Sequence, residues 1–256
     1  MIKQFAKALM LFSPLTVINA AEAASKAGAY VGVQAGLSRQ SYDVKGGIFA
    51  DPSVFTNSNT AAAHNKTHKN NAFIGGLVAG YGWVFNNAIY TALEASISGE
   101  GSKTFTTTDT NEHAGPVVIT NQPKIRYARG AAFGLSARLG YVVKAWVPFL
   151  KLGLAVSRDT VKQELNIDTA GVLGGPALTA NQYRVKKTIT SFIIGAGTDY
   201  YFTNNWLGRL TYEYRTQGSV TLPQIQGAAL GNNTYNGTKL KNIRNHALQL
   251  GLVYKF

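Results

Sequence analysis

The chain of 256 residues has no cysteine, only seven prolines and only twelve acidic residues. Without cysteine there is no disulfide framework, no thiol nucleophile, no cysteine-rich zinc site and no cysteine for N-terminal lipidation. Scarce proline beside 27 glycines and 13 tyrosines suits closely packed, strongly tilted strands. Long apolar runs are missing too: residues 8–18 form a stretch of about 11, short of the roughly 18–20 a bilayer-spanning helix needs.

The shortage of acids leaves 25 Lys and Arg against 12 Asp and Glu, a formal net charge of +13. Such a balance often marks phosphate-neutralising nucleic-acid binders. Here no helix-turn-helix, zinc-finger or basic amphipathic-helix pattern accompanies it, so nucleic acid is not an expected partner. The mean hydropathy of −0.04 matches a soluble protein. A membrane barrel has the same average, because only alternate residues of its strands face lipid.

What is present begins with an export signal. Lys3 and Lys7 precede the apolar stretch, and Ala20, Ala21, Ala23 and Ala24 follow it. This order of charge, apolar core and small residues reads as a signal peptide over 1–24, cleaved after Ala20, Ala23 or Ala24, with the last two preferred. Residues 25–256 then form the mature domain.

The mature chain alternates polar and apolar residues, and its connections come in two kinds that alternate strictly. Short ones fall at Asn86-Asn87, 144–148 and 203–205; long polar ones fall at 41–71, 101–125, 159–184 and 220–243. Connections this long are unusual inside a compact domain. They are expected of outer-membrane barrels, with short periplasmic turns and long extracellular loops. The last strand is the clearest: Leu248, Leu250, Leu252, Tyr254 and Phe256 share one face, and Ala247, Gln249, Gly251, Val253 and Lys255 the other. The first three strands read as 30–38, 73–85 and 89–98. The apolar faces have no helix to cover them, so lipid is the simplest partner, and closure removes edges that lipid would not tolerate. The predicted fold is all-β: a single eight-stranded antiparallel up-and-down transmembrane β-barrel, loops outside and both termini periplasmic.

Aromatic placement agrees. Trp83, Trp146 and Trp206 all sit at or beside a short turn, with Phe85, Tyr141, Phe149, Tyr200, Phe202, Tyr254 and Phe256 near the same end. Amphipathic rings prefer the headgroup level, so these predict a periplasmic aromatic girdle.

With these residues in view, the mature chain resembles the small Gram-negative outer-membrane barrels of the OmpA-transmembrane and opacity-protein type. The sharpest motif is Leu248-x-Leu250-x-Leu252-x-Tyr254-x-Phe256. The resemblance implies that this terminal strand, Tyr254 and Phe256 above all, is an assembly signal read by the outer-membrane assembly machinery. It implies outer-membrane lipid as surroundings, and a surface-exposed structural or adhesive role with a host or surface ligand for the loops. No peptidoglycan-binding domain is implied.

An eight-stranded barrel is just wide enough for side chains to fill. The inward charges are expected to be Glu94, Asp199 and Glu213 with Arg138, Lys151, Arg209, Arg215 and Lys255. Buried charges must pair, and Glu94 with Arg138 and Asp199 with Arg209 lie on adjacent strands at similar heights. Two readings stay open: a plugged lumen, favoured by barrel size, and a narrow, weakly anion-preferring pore.

Bases also cluster where each long loop returns to its strand: Lys66 and Lys69; Lys124, Arg126 and Arg129; Arg184, Lys186 and Lys187; Lys239, Lys241 and Arg244. They predict either a collar facing lipopolysaccharide phosphates or simply solvated loop charge. A third functional class, lipid A modification, needs a nucleophile with a base. His64, His68 and His113 lie in predicted loops, and His246 has no serine within two residues. The spacing of His64 and His68 lacks the carboxylates a metal site would add. No catalytic residue, metal or cofactor is expected.

Overall fold

The computed structural model describes residues 26–45, 49–50, 66–85, 88–101, 103–106, 109–112, 118–121, 124–168, 178–221, 225–226, 234–235 and 239–256. The predicted signal peptide, the Asn86-Asn87 turn, His64 and His113 lie outside the described residues.

Eight strands build the wall: β1 (Gly28–Lys45), β2 (Lys66–Val84), β3 (Ile89–Glu100), β4 (Ala132–Tyr141), β5 (Trp146–Asp168), β6 (Leu178–Tyr201), β7 (Trp206–Gln217) and β8 (Lys239–Lys255). Each pairs antiparallel with the next. The last returns to the first, from Tyr30 opposite Lys255 to Lys45 opposite Lys239. The sheet therefore closes into an eight-stranded up-and-down barrel, as the alternation predicts, and closure leaves no edge in the membrane.

The strands run further than the sequence pattern suggests. β5 and β6 stay paired up to Ile167 opposite Leu178, so much of the 159–184 connection is hairpin. A short strand, Lys124–Ala128, runs beside β5 and continues the line of β4. The reason is an inversion of polarity along the wall. In the lower part the outward residues are apolar, with Leu37 68% and Leu250 67% exposed, and above the turn end many of the inward ones are polar or charged. Higher up, Arg39, Lys69, Arg158, Thr188 and Arg244 point outward and are exposed. There the inward residues Tyr42, Tyr127, Val161, Ile189, Val220, Leu240 and Ile243 pack into an apolar cluster. The apolar belt marks the membrane-embedded part; the upper wall is built like a water-soluble barrel.

Two irregularities reset which residues face inward. Asn242 has a positive φ of 51°, and the β1–β8 register shifts between Ser41 and Asp43. One extra residue in β8 thus turns Leu240 inward and Lys239 and Lys241 outward. A second break separates Ala128, opposite Thr160, from Ala132, opposite Ser157. Four steps on one side match three on the other, so inward-facing parity changes across 129–131.

At the turn end the lumen is closed by another apolar cluster, which includes Tyr30, Val78, Tyr90, Val142, Val147, Tyr201, Leu207 and Val253. The three tryptophans lie at this end on the outer surface, partly exposed, and each packs at an angle against a tyrosine: Trp83 on Tyr81 at 4.9 Å, Trp146 on Tyr200 at 4.5 Å and Trp206 on Tyr254 at 5.0 Å between centroids. Phe149, expected among them, faces inward and is buried. In β5 its neighbours Leu150, Leu152 and Leu154 take the outward positions.

Candidate functional site

Between the apolar ends, the lumen holds a cross-braced set of charges. Glu94 projects from β3, Arg138 from β4, Lys151 from β5, Asp199 from β6, and Arg209, Glu213 and Arg215 from β7; all are buried. Strand alternation sends each of them inward, and register sets their heights. Asp199 stands directly opposite Arg209, and Lys151 opposite Arg138.

Both pairs foreseen from the sequence form: Arg138 Nη1 lies 3.5 Å from Glu94 Oε2, and Arg209 Nε donates to Asp199 Oδ1 at 2.7 Å. The bracing goes well beyond them. Arg138 Nη2 also donates to Asp199 at 2.6 Å, and Arg209 Nη1 reaches Glu94 at 2.5 Å across the lumen. Lys151 bridges two acids, Glu94 at 2.9 Å and Glu213 at 2.8 Å, and Arg215 closes on Glu213 at 2.6 Å. Tyr30 adds a hydroxyl to Glu94 at 3.0 Å. Strand alternation turns Phe149 inward with Lys151, and the Arg138 guanidinium lies 3.6 Å from the centroid of its ring, a favourable cation–π contact. Four bases thus meet three acids, each acid touched by at least two cations. That is the arrangement burial demands, because an uncompensated charge in such a space is very unfavourable.

Glycines give these side chains their room. Gly80 lies in register between Tyr30 and Glu94, and Gly195 between Lys151 and Glu213. A Cβ at Gly80 would stand 2.5 Å from the Tyr30 hydroxyl, and one at Gly195 would stand 2.6 Å from the Tyr212 carbonyl. That long charged side chains reach across these glycines is a matter of register between three strands, which the sequence pattern does not carry.

Lys255 does not join the network. It sits at the turn end, where its Nζ lies 3.5 Å from the Ala27 carbonyl and 3.4 Å from the Phe256 main-chain oxygen. Inward parity was read correctly, but height along the axis separates it from the acids.

A second polar group lies higher, and most of it was not foreseen. Arg129 pairs with Glu100 at 3.3 Å. Asn245 donates to both Glu100 oxygens at 2.9 Å, and Ser38 bonds to the same carboxylate. Tyr127 bonds to Asp159 and, at 3.2 Å, to Gln217. Arg129 was expected in the outer collar. The parity change at 129–131 places it inside instead, 7% exposed. Ending the third strand at residue 98 hid Glu100, although it shares even-numbered parity with Glu94.

The remaining collar residues spread over the upper wall. Lys69, Arg126, Arg184, Lys186, Lys187 and Arg244 are exposed, and Lys239 and Lys241 are half-buried. Lys187 donates to the Ser219 carbonyl at 3.1 Å. The side chains of Lys66 and Lys124 lie outside the described residues. His68 stacks on Tyr42 at 5.8 Å, and the Tyr212 hydroxyl lies 2.7 Å from His246 Nδ1 on the outer face. Along β8, Leu248, Leu250, Leu252 and Phe256 are exposed, and Tyr254 is half-exposed.

Comparison with known proteins follows the same line. The 31 kDa outer-membrane immunogenic proteins of Brucella melitensis and Brucella suis are each 26% identical over 232 residues, covering 90% of this chain and 83% of the relative. Among solved structures, Neisserial surface protein A aligns with a TM-score of 0.42 at 17% identity, over 90% of this chain and 97% of that one. The attachment invasion locus protein Ail of Yersinia pestis aligns with a TM-score of 0.36 at 15% identity, over 90% of this chain and 99% of that one. The family model for the outer membrane protein beta-barrel domain matches residues 8–256, and the chain belongs to that family.

Proposed function

We propose that this outer-membrane barrel is a closed, non-catalytic scaffold, whose lumen is plugged and whose work is done by its loop end at the cell surface. The observation that supports it is the interlocked set of seven buried charges lying between two apolar clusters. Ions crossing such a lumen would have to displace paired charges and then pass an apolar constriction at each end. The loops face outward on this reading, the termini face the periplasm, and the tryptophans sit at the inner headgroup level. The terminal strand, with Leu248, Leu250, Leu252, Tyr254 and Phe256, serves the assembly machinery as its recognition signal. Adhesion or host contact through the loops fits the immunogenic designation of the Brucella relatives.

The test is single-channel recording of the folded protein in a planar bilayer, with folding verified by a heat-modifiable gel shift. A silent bilayer is the expected result. Reproducible discrete steps would overturn the plugged reading in favour of a narrow, weakly anion-preferring pore, with Arg138, Lys151 and Arg209 setting its selectivity.

A further inference from the structure

We propose that the outer wall across β7, β8, β1 and β2 binds a lipid with a phosphate-bearing headgroup, held by Arg39, Lys69 and Arg244. This rests on the reading above that places the loop end at the outer leaflet. Cross-strand register arranges the outward side chains in rows. The top row of the apolar belt is Phe73, Leu37, Leu248 and Tyr212. One step up come Asn71, Arg39, His246 and Tyr214, and the next row is Lys69, Ser41, Arg244 and Thr216. Arg39, Lys69 and Arg244 therefore surround Ser41 on three sides, at the upper rim of the belt.

Three like charges so close on one sheet face repel one another. Among the described residues none of the three forms an ion pair. The nearest acid is Asp43, one row higher, which already accepts from Thr67 at 2.7 Å and Asn242 at 2.8 Å and faces Lys241. An anion between the three cations removes the repulsion. Phosphate suits them, because two guanidinium forks and an ammonium can donate to several of its oxygens.

The surroundings favour a lipid over free phosphate. Exposed Leu37, Phe73 and Leu248 lie directly beneath the cations, where an acyl chain runs if its headgroup rests on them. His246 is held by Tyr212 and lies 4.8 Å from the Tyr214 ring, which places aromatic surface at headgroup height. The Arg184, Lys186 and Lys187 group stands several residues above the belt on β6, without an apolar row beneath it.

The experiment is native mass spectrometry of the folded full chain in detergent, titrated with bis-phosphorylated lipid A. A triple variant, Arg39→Gln with Lys69→Gln and Arg244→Gln, should bind at least about tenfold more weakly, the scale of one lost charge-assisted hydrogen bond. A control triple at Arg184, Lys186 and Lys187 should bind as the wild type does. Dephosphorylated lipid A should bind weakly, and millimolar inorganic phosphate should not compete. Undiminished binding by the first variant overturns the site, as does an equal loss in the control. Effective competition by inorganic phosphate would make it a free-anion site and overturn the lipid assignment. A channel-silent protein that fails these tests loses only the lipid site and not the plugged scaffold.

Discussion

The lower and upper polar groups of the lumen are built from the same residue types, yet they are finished differently. In the lower group the acids Glu94, Asp199 and Glu213 are each held by at least two cations. In the upper group one base, Arg129, serves two acids, Glu100 and Asp159, and bonds only to the first. Arg129 Nε and Nη2, Asp159 Oδ1 and Gln217 Nε2 have no hydrogen-bond partner there, against Arg138 Nε alone among the lower charges. The difference follows depth. The lower group lies inside the apolar belt, where lipid surrounds the wall and each buried acid is met by at least two cations. The upper group lies where the outer wall is already polar, so incomplete pairing is tolerated. The barrel is thus locked at membrane depth and loose near its mouth.

Removing the hub of the locked group should have the largest effect. Glu94 meets Arg138, Arg209 and Lys151, so Glu94→Ala leaves four bases facing two acids in a closed lumen. A loss of about 3–5 kcal/mol is expected, the scale seen when one member of a buried ionic set is removed. Urea unfolding of the barrel in lipid vesicles measures it. A loss below about 1 kcal/mol would mean that water reaches these charges, and the contrast between the two depths would collapse.

Much of the lower group was legible because strand alternation fixes facing and adjacent strands of known register fix height. Glu94 with Arg138 and Asp199 with Arg209 needed only those two facts. The belt and the eight-strand count were legible for the same reason, as apolar outward rows between turns. What stayed hidden needed geometry that alternation does not carry. Extra residues at Asn242 and within 129–131 reverse facing, so Arg129 was assigned to the wrong side of the wall. Alternation with Leu150 and Lys151 turns Phe149 inward, but its contact with Arg138 depends on register across β4 and β5. The upper wall reads as loop in sequence because its polarity is inverted, and apolar outward faces stop where Arg39 and Lys69 begin.

An intermediate effect should come from the loose group. Arg129→Met removes the ion pair to Glu100, but Asn245 and Ser38 still hold that carboxylate. It also removes two guanidinium nitrogens that have no partner. The expected loss is about 1–2 kcal/mol in the same unfolding measurement, near the net worth of one hydrogen bond to a charged group. A loss equal to that of Glu94→Ala would show the mouth to be as tightly locked as the belt.

The smallest effect is expected at Lys255, which tests whether depth alone, or contact with the network, decides the outcome. Lys255 shares inward parity with the lower group and is 9% exposed, so facing and burial alone would assign it to that group. Its ammonium, however, meets only the main-chain oxygens of Ala27 and Phe256, at 3.5 and 3.4 Å. Methionine keeps the length and apolar packing of the lysine stem and gives up only those two long hydrogen bonds. Lys255→Met should therefore change the unfolding free energy by less than about 1 kcal/mol. A loss of several kcal/mol would mean that its charge is felt by Glu94 and Asp199 across the apolar cluster at the turn end. The locked group would then extend to the base of the barrel, and the apolar cluster would not insulate it.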